Sequence, residues 1–201
     1  ANVAAVEADR RYAALTRPDP QYVAGYVVHN QHFLWAAALW GGESAVALGA
    51  AQAIAEAAAA SERLDAGTKQ HLMGLPWLTD VRFARWDAIL ARPVPRESPY
   101  LQGLAAYARG TAYARTGDVA RAQRELNALH AARRAASSRK LKIKNINPAA
   151  DVLVLAESLL RSELAAARGV WNEPARQTHA AAKREPALPV HGPALALLPA
   201  R

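Results

Sequence analysis

The sequence predicts an all-α fold, and three observations support that class. Apolar residues recur at helical spacing in most segments of the chain. Glycine and proline interrupt these segments, as they do between helices. No alternation of apolar and polar residues is longer than Leu141–Lys144, which is the only candidate strand. With 201 residues, of which 52% are hydrophobic, the chain can form one core or a short array of repeated units.

The periodicity predicts the helices in order. The first contains Val3, Val6, Tyr12 and Leu15, and it ends before positions 17–20, where two prolines remove amide donors. Further helices are predicted over 29–40, 43–60, 81–90, 99–115, 119–136 and 149–168. Residues 61–80 contain two glycines and a proline, and the pattern there assigns no single element. Residues 137–148 are predicted to form a polar, basic loop.

Composition excludes several classes of protein. Without cysteine, the chain has no disulfide, no thiolate nucleophile and no cysteine metal site. No run of about 18 apolar residues predicts a transmembrane helix, and no basic segment followed by an apolar one predicts a signal peptide. We therefore expect a cytoplasmic protein, with a mature secreted form as the alternative. The net charge of +8 is compatible with an acidic partner, although its arginines are spread along the chain.

Six residues between positions 106 and 129 stand at fixed offsets in a predicted helix-turn-helix. A small residue lets two helices approach closely, a bulky residue three positions later fills the groove above it, and a glycine makes the turn. A small alanine then stands where the second helix crosses the first, and two large residues close the core. This pattern resembles the tetratricopeptide repeat; its residues are Gly110, Tyr113, Gly117, Ala122, Leu126 and Leu129.

Weaker copies of the pattern surround this one. Gly42 begins a copy that continues through Ala47, Ala51 and Ile54, and segment 82–90 resembles the same turn with Ala84 in place of glycine. Ala165 and Gly169 begin another. The turn positions 42, 84, 117 and 169 are separated by 42, 33 and 52 residues. The resemblance therefore implies an irregular α-solenoid of about three antiparallel helix pairs, in which stacked neighbours supply the core.

Segments 29–37, 81–87 and 147–151 also resemble, in the same order, a large bacterial family of tetratricopeptide-repeat proteins. Its members are much longer, so the resemblance implies an internal fragment or a truncated relative. The resemblance covers most of residues 1–172, which are predicted to form the repeat domain. Residues 173–201 depart from the pattern, because Pro174 stands where the repeat needs its crossing alanine. We expect this Pro/Ala-rich tail to pack poorly, either as a linker or as an out-of-frame reading of the ancestral gene.

Two histidines are the sharpest chemical feature. His29 and His32 are three residues apart at a helix start and share one face, where imidazoles could bind Zn, Cu or Ni. A third ligand would have to come from elsewhere, with His71, Asp80, Glu43 and Asp87 as the candidates. The alternative interpretation is that these histidines line a groove or satisfy backbone groups near Asn30. Otherwise no cofactor is expected.

The favoured function is binding of another protein or peptide in a concave groove. The predicted contributors from the first helix of each pair are Gln31, Trp35, Tyr107 and Arg109. The aromatic residues of the first half (Tyr22, Tyr26, Phe33, Trp35, Trp40, Trp77 and Trp86) indicate core packing, with an aromatic-lined groove as the alternative. Exposed apolar ends would favour self-association.

Nucleic acid is a less favoured partner. The basic cluster consists of Arg133, Arg134, Arg139, Lys140, Lys142 and Lys144. It lacks the interleaved aromatic residues that stack on bases, and a solvated loop explains it better. No nucleophile elbow, zinc-protease motif or phosphate-binding loop occurs, so the sequence names no reaction and favours a protein without catalytic activity. The alternative function is that of a metal-binding or metal-dependent protein centred on His29 and His32, with hydrolysis as the candidate activity.

Overall fold

The computed structural model describes residues 2–19, 22, 26–96, 98–144 and 147–170. These residues are helical almost throughout, which confirms the all-α class, and none of their helices is both long and apolar enough to cross a membrane. The predicted tail over 173–201 lies outside the described residues. The helices are α1 (Asn2–Leu15), α2 (Val28–Gly41), α3 (Ser44–Ala60), α4 (Ala66–Met73), α5 (Leu75–Arg82), α6 (Trp86–Ala91), α7 (Pro99–Arg115), α8 (Val119–Ser138) and α9 (Ala149–Ala167).

Two predicted segments differ from what is observed. The predicted helix over 81–90 is divided into α5 and α6, because the chain reverses at Ala84, whose φ is +53°. Residues 61–80 hold α4 and most of α5. Asp65 begins α4 by accepting a hydrogen bond from the Thr68 amide, and Pro76 lies in the first turn of α5, where its missing amide costs nothing.

The candidate strand is present in a shortened form. Strand β1 (Lys142–Ile143) pairs with β2 (Asn147–Pro148) in antiparallel orientation. The hairpin lies against α4, where the Lys144 amide donates to the Thr68 hydroxyl over 2.5 Å. A short hairpin is marginal in water by itself, so its contacts with α4 are an essential part of what holds it in place.

The helices pack in antiparallel pairs around one apolar core. Helix α2 packs on α3, α7 packs on α8, and α9 lies across both α7 and α8. Helix α3 also contacts α4 and α5, which connects the two pairs. At that junction the Trp35 indole N–H donates to the Thr79 hydroxyl, 2.8 Å away, and Thr79 donates to the Leu75 carbonyl. Gly110 allows the close approach of α9, because a Cβ there would lie 2.6 Å from Leu160 Cδ2.

The same backbone turn occurs at the four positions that the sequence predicts. Gly42, Ala84, Gly117 and Gly169 have φ values of 78°, 53°, 88° and 75°. After each of them, the next residue's amide donates to the carbonyl five residues earlier, over 2.8–3.0 Å. This is the hydrogen bond of a Schellman motif, which ends a helix through a left-handed residue.

The alanine at the second of these turns gives a test of the turn geometry. A non-glycine residue in the left-handed region costs about 1 kcal/mol, so Ala84→Gly should raise the free energy of unfolding by about 0.5 kcal/mol after its own entropic cost. Gly117→Ala should lower the free energy of unfolding by about 1 kcal/mol. The cause is the strained backbone conformation of alanine at this φ, because nothing lies within 4 Å of the added Cβ. Urea denaturation measures both values. A stability loss in Ala84→Gly would contradict the assigned turn.

Candidate binding groove

An open groove runs along one face of α8. Its volume is about 880 Å³, and segment 93–96 after α6 forms the opposite wall. The groove floor is a row of alanines on α8, namely Ala128, Ala131, Ala132 and Ala135. Residues at i, i+3, i+4 and i+7 share one face of a helix. Since these side chains end at Cβ, the space between α8 and the half-exposed Val94 stays open. We call this feature the alanine groove.

A second basin adjoins the alanine groove. Its volume is about 510 Å³, and it lies between α4 and the start of α7, with Pro95 and Arg96 as the wall that the two basins share. Gln70 and Lys69 of α4 line it. The Gln70 side-chain oxygen is buried and accepts no hydrogen bond from the described residues.

The wall of the alanine groove is anchored to a buried carboxylate. Asp80 of α5 is only 1% exposed; it forms an ion pair with Arg85 over 3.2 Å and a second, short one with Arg92. The Arg92 guanidinium also lies over the Trp77 ring, 5.3 Å from its centroid. Because Arg92 directly precedes Pro93, this contact fixes the start of the wall. It also means that the carboxylate of Asp80, a candidate metal ligand, is engaged by two guanidinium groups.

The charges around the two basins are mainly positive. Glu125 is the acidic residue among the described lining residues, and its carboxylate is paired with Arg109 over 2.9 Å. Arg109 also donates to the Leu90 carbonyl, 3.3 Å away. The Lys69 ammonium donates a hydrogen bond to the Ser61 carbonyl. This carbonyl is uncharged, so it does not neutralise the positive charge of Lys69. Arg96 is exposed at the shared wall.

The predicted groove residues lie elsewhere, with one exception. Trp35 is 0% exposed and Tyr107 is 2% exposed, so both belong to the core and offer no side-chain surface to a partner in this conformation. Gln31 is partly buried on α2 and does not line either basin. Arg109 is the exception, because its guanidinium pairs with the carboxylate of Glu125, which lines the alanine groove.

The aromatic residues of the first half divide between core and surface. Trp35 and Trp77 are buried, as the core-packing interpretation expects. Tyr26, Phe33 and Trp40 are 66%, 40% and 65% exposed, and they line neither basin. The aromatic residues therefore do not form the walls of the alanine groove.

The three histidines of the metal hypothesis occupy different environments. Burial lowers the pKa of His32 to about 4 and of His71 to about 3, and the charge of Lys144 adds to both effects. His32 stacks on the Trp35 ring, and His71 Nδ1 lies 2.8 Å from the Tyr100 hydroxyl. His29 is exposed and lies against the Phe33 ring.

The described residues bring no three His, Asp or Glu side chains together around a point that could hold a metal. The Lys144 charge near His32 and His71 also disfavours a cation there. The Zn, Cu or Ni site at His29 and His32, with His71 as third ligand, stays a prediction from their spacing.

Comparison of the chain with family models, with curated proteins and with solved structures finds no match. The geometry itself defines an all-α protein of antiparallel helix pairs, in which the alanine groove separates α8 from the chain segment that follows α6.

Proposed function

We propose that this protein is a scaffold that binds another protein or a peptide, and that the ligand lies in the alanine groove. The observation that carries the proposal is the groove itself, with an apolar floor, a wall anchored through Asp80 and polar groups at its margin. Grooves of this composition are typical binding sites for extended or helical segments. The backbone of α8 supplies a rigid surface for such contacts.

We propose further that the helix pairs form an irregular tetratricopeptide-like array. Support comes from the four turns of one geometry, at positions 42, 84, 117 and 169, and from the antiparallel packing of α2 on α3 and α7 on α8. In such arrays each pair buries its apolar face against its neighbours, and the surface between pairs serves as the binding face. The alanine groove lies beside the α7–α8 pair, between α8 and the segment that follows α6.

A peptide-display experiment tests the proposed site. The intact chain is used to select binders from a library of random 12-residue peptides, and the binders are then measured against two variants. Ala131 is exposed on the groove floor, so Ala131→Trp should fill the groove and weaken binding at least tenfold. Ala59→Trp is the matched control, since Ala59 is an exposed alanine on α3 that does not line the groove.

Equal binding of the selected peptides to the Ala131→Trp variant and to the wild type would contradict this location for the site. Circular dichroism shows whether each tryptophan variant keeps the helical content of the wild type, so that a loss of binding is not a loss of folding.

A further inference from the structure

We infer that the ligand of the alanine groove is an acidic peptide segment whose central apolar side chains lie on the alanine floor and whose flanking carboxylates meet arginines at both ends. This inference rests on the proposed function and specifies the chemistry of its partner.

The first argument is the charge balance of the two basins. Glu125 is neutralised by Arg109, whereas Lys69 and Arg96 have no carboxylate partner among the described residues. A ligand with carboxylates would therefore bring the charge that these basins lack. A basic ligand would instead face like charges, which opposes association.

The second argument is the position of Arg124 on α8 and of Arg139 directly after its last residue. Arg124 precedes Ala128 by four residues, and Arg139 follows Ala135 by four, so both lie on the face that carries the alanine floor. Both side chains are exposed and have no ion-pair partner among the described residues. Arg139 follows Arg124 by 15 positions, which corresponds to about 22 Å along a helix. This length corresponds to about seven residues of an extended peptide, which places carboxylates at both ends of a short apolar segment.

Three fluorescent peptides test the inference on the intact chain: EELAPLAEE, QQLAPLAQQ and KKLAPLAKK, each with blocked ends so that no terminal charge contributes. Fluorescence anisotropy in 50 mM NaCl should give a Kd for the glutamate peptide at least tenfold below that for the glutamine peptide. The lysine peptide should bind more weakly than both. Raising NaCl to 500 mM should remove most of the difference between the glutamate and glutamine peptides, since exposed charges are screened.

Single substitutions locate the charges that the ligand meets. Arg96→Ala, Arg124→Ala and Arg139→Ala should each weaken binding of the glutamate peptide about threefold, as expected for an exposed ion pair. They should leave the glutamine peptide unchanged. Arg10→Ala is the matched control, because it removes the same charge from an exposed position on α1 that does not line the groove.

The possible failures are distinguishable. In one outcome, Ala131→Trp weakens peptide binding, but the glutamate and glutamine peptides bind equally. The inference of an acidic ligand is then wrong, and the proposed function stands. In the other outcome, no peptide binds in a way that is sensitive to Ala131→Trp, and the proposed function fails as well. Equal weakening by Arg10→Ala would mean that only the total charge matters and would overturn the inference. It would also be overturned if single-stranded oligothymidylate bound more tightly than the glutamate peptide with the same dependence on the three arginines.

Discussion

Acidification from pH 8 to pH 5 is expected to lower the free energy of unfolding by about 4 kcal/mol through His32 and His71 together. Burial holds the folded-state pKa of these imidazoles at about 4 and about 3, below the value of about 6.5 for an unfolded chain. Above pH 6.5 both states are neutral at these positions and no stability is lost. Below pH 6.5 the unfolded state takes up the protons first, so stability falls until the folded-state pKa values are reached.

Urea denaturation between pH 8 and pH 5 measures this loss, and replacement of the histidines isolates it from other titrating groups. His32→Gln and His71→Gln remove the proton uptake, so each variant should lose about 2 kcal/mol less than the wild type over this range. His71→Gln also loses the contact with Tyr100 and starts from a lower stability at pH 8. His29→Gln is the control, because His29 is exposed on the same helix as His32. A pH dependence unchanged in His71→Gln would contradict the prediction.

Gly67→Ala is expected to lower the free energy of unfolding by about 3 kcal/mol, at the upper end of what overpacking costs. A Cβ at Gly67 would lie 2.0 Å from the Lys142 carbonyl oxygen and 2.6 Å from its carbon. These are backbone atoms, so the clash cannot be relieved by rotating a side chain. The hairpin would have to move away from α4, and the hydrogen bond from the Lys144 amide to Thr68 would be lost with it.

Gly49→Ala is the matched control for this substitution. Both glycines lie inside helices, but nothing lies within 4 Å of a Cβ added at Gly49. There the higher helix propensity of alanine acts alone and should raise the free energy of unfolding by about 0.5–1 kcal/mol. Chemical denaturation of both variants measures the difference. A stabilising effect at both positions would mean that β1 does not approach α4 as closely as described.

Local signals made much of the fold predictable. A left-handed residue after a helix is determined by a few neighbouring residues, so the turns at Gly42 and Gly117 could be recognised directly. The residues around Ala84 indicate the same turn, although the periodicity there also predicts a single continuous helix. The division of residues 61–80 was not predicted, because helices of 8 residues provide too few turns for a clear periodicity.

The candidate site was less predictable, because it depends on contacts between distant parts of the chain. Trp35 has the position of a groove residue in the repeat pattern, yet its N–H is bonded to Thr79, 44 residues away, and the side chain is buried. The sequence analysis does not single out the alanines of the groove floor, although they form a small-residue row on α8. A small-residue row is also what a tight helix contact needs, and only the position of segment 93–96 opposite α8 distinguishes the two cases.

The carboxylate of Asp80 has a consequence for the kinetics of binding. Detaching the groove wall would break the ion pair between Asp80 and Arg92 and leave Arg85 as the remaining partner of this buried carboxylate, which is unfavourable. The wall is thus preorganised before any ligand arrives, and little conformational entropy remains to be lost on association. For the proposed peptide ligands, such a wall favours rigid-body docking, and differences in affinity between competing peptides are then expected mainly in their dissociation rates.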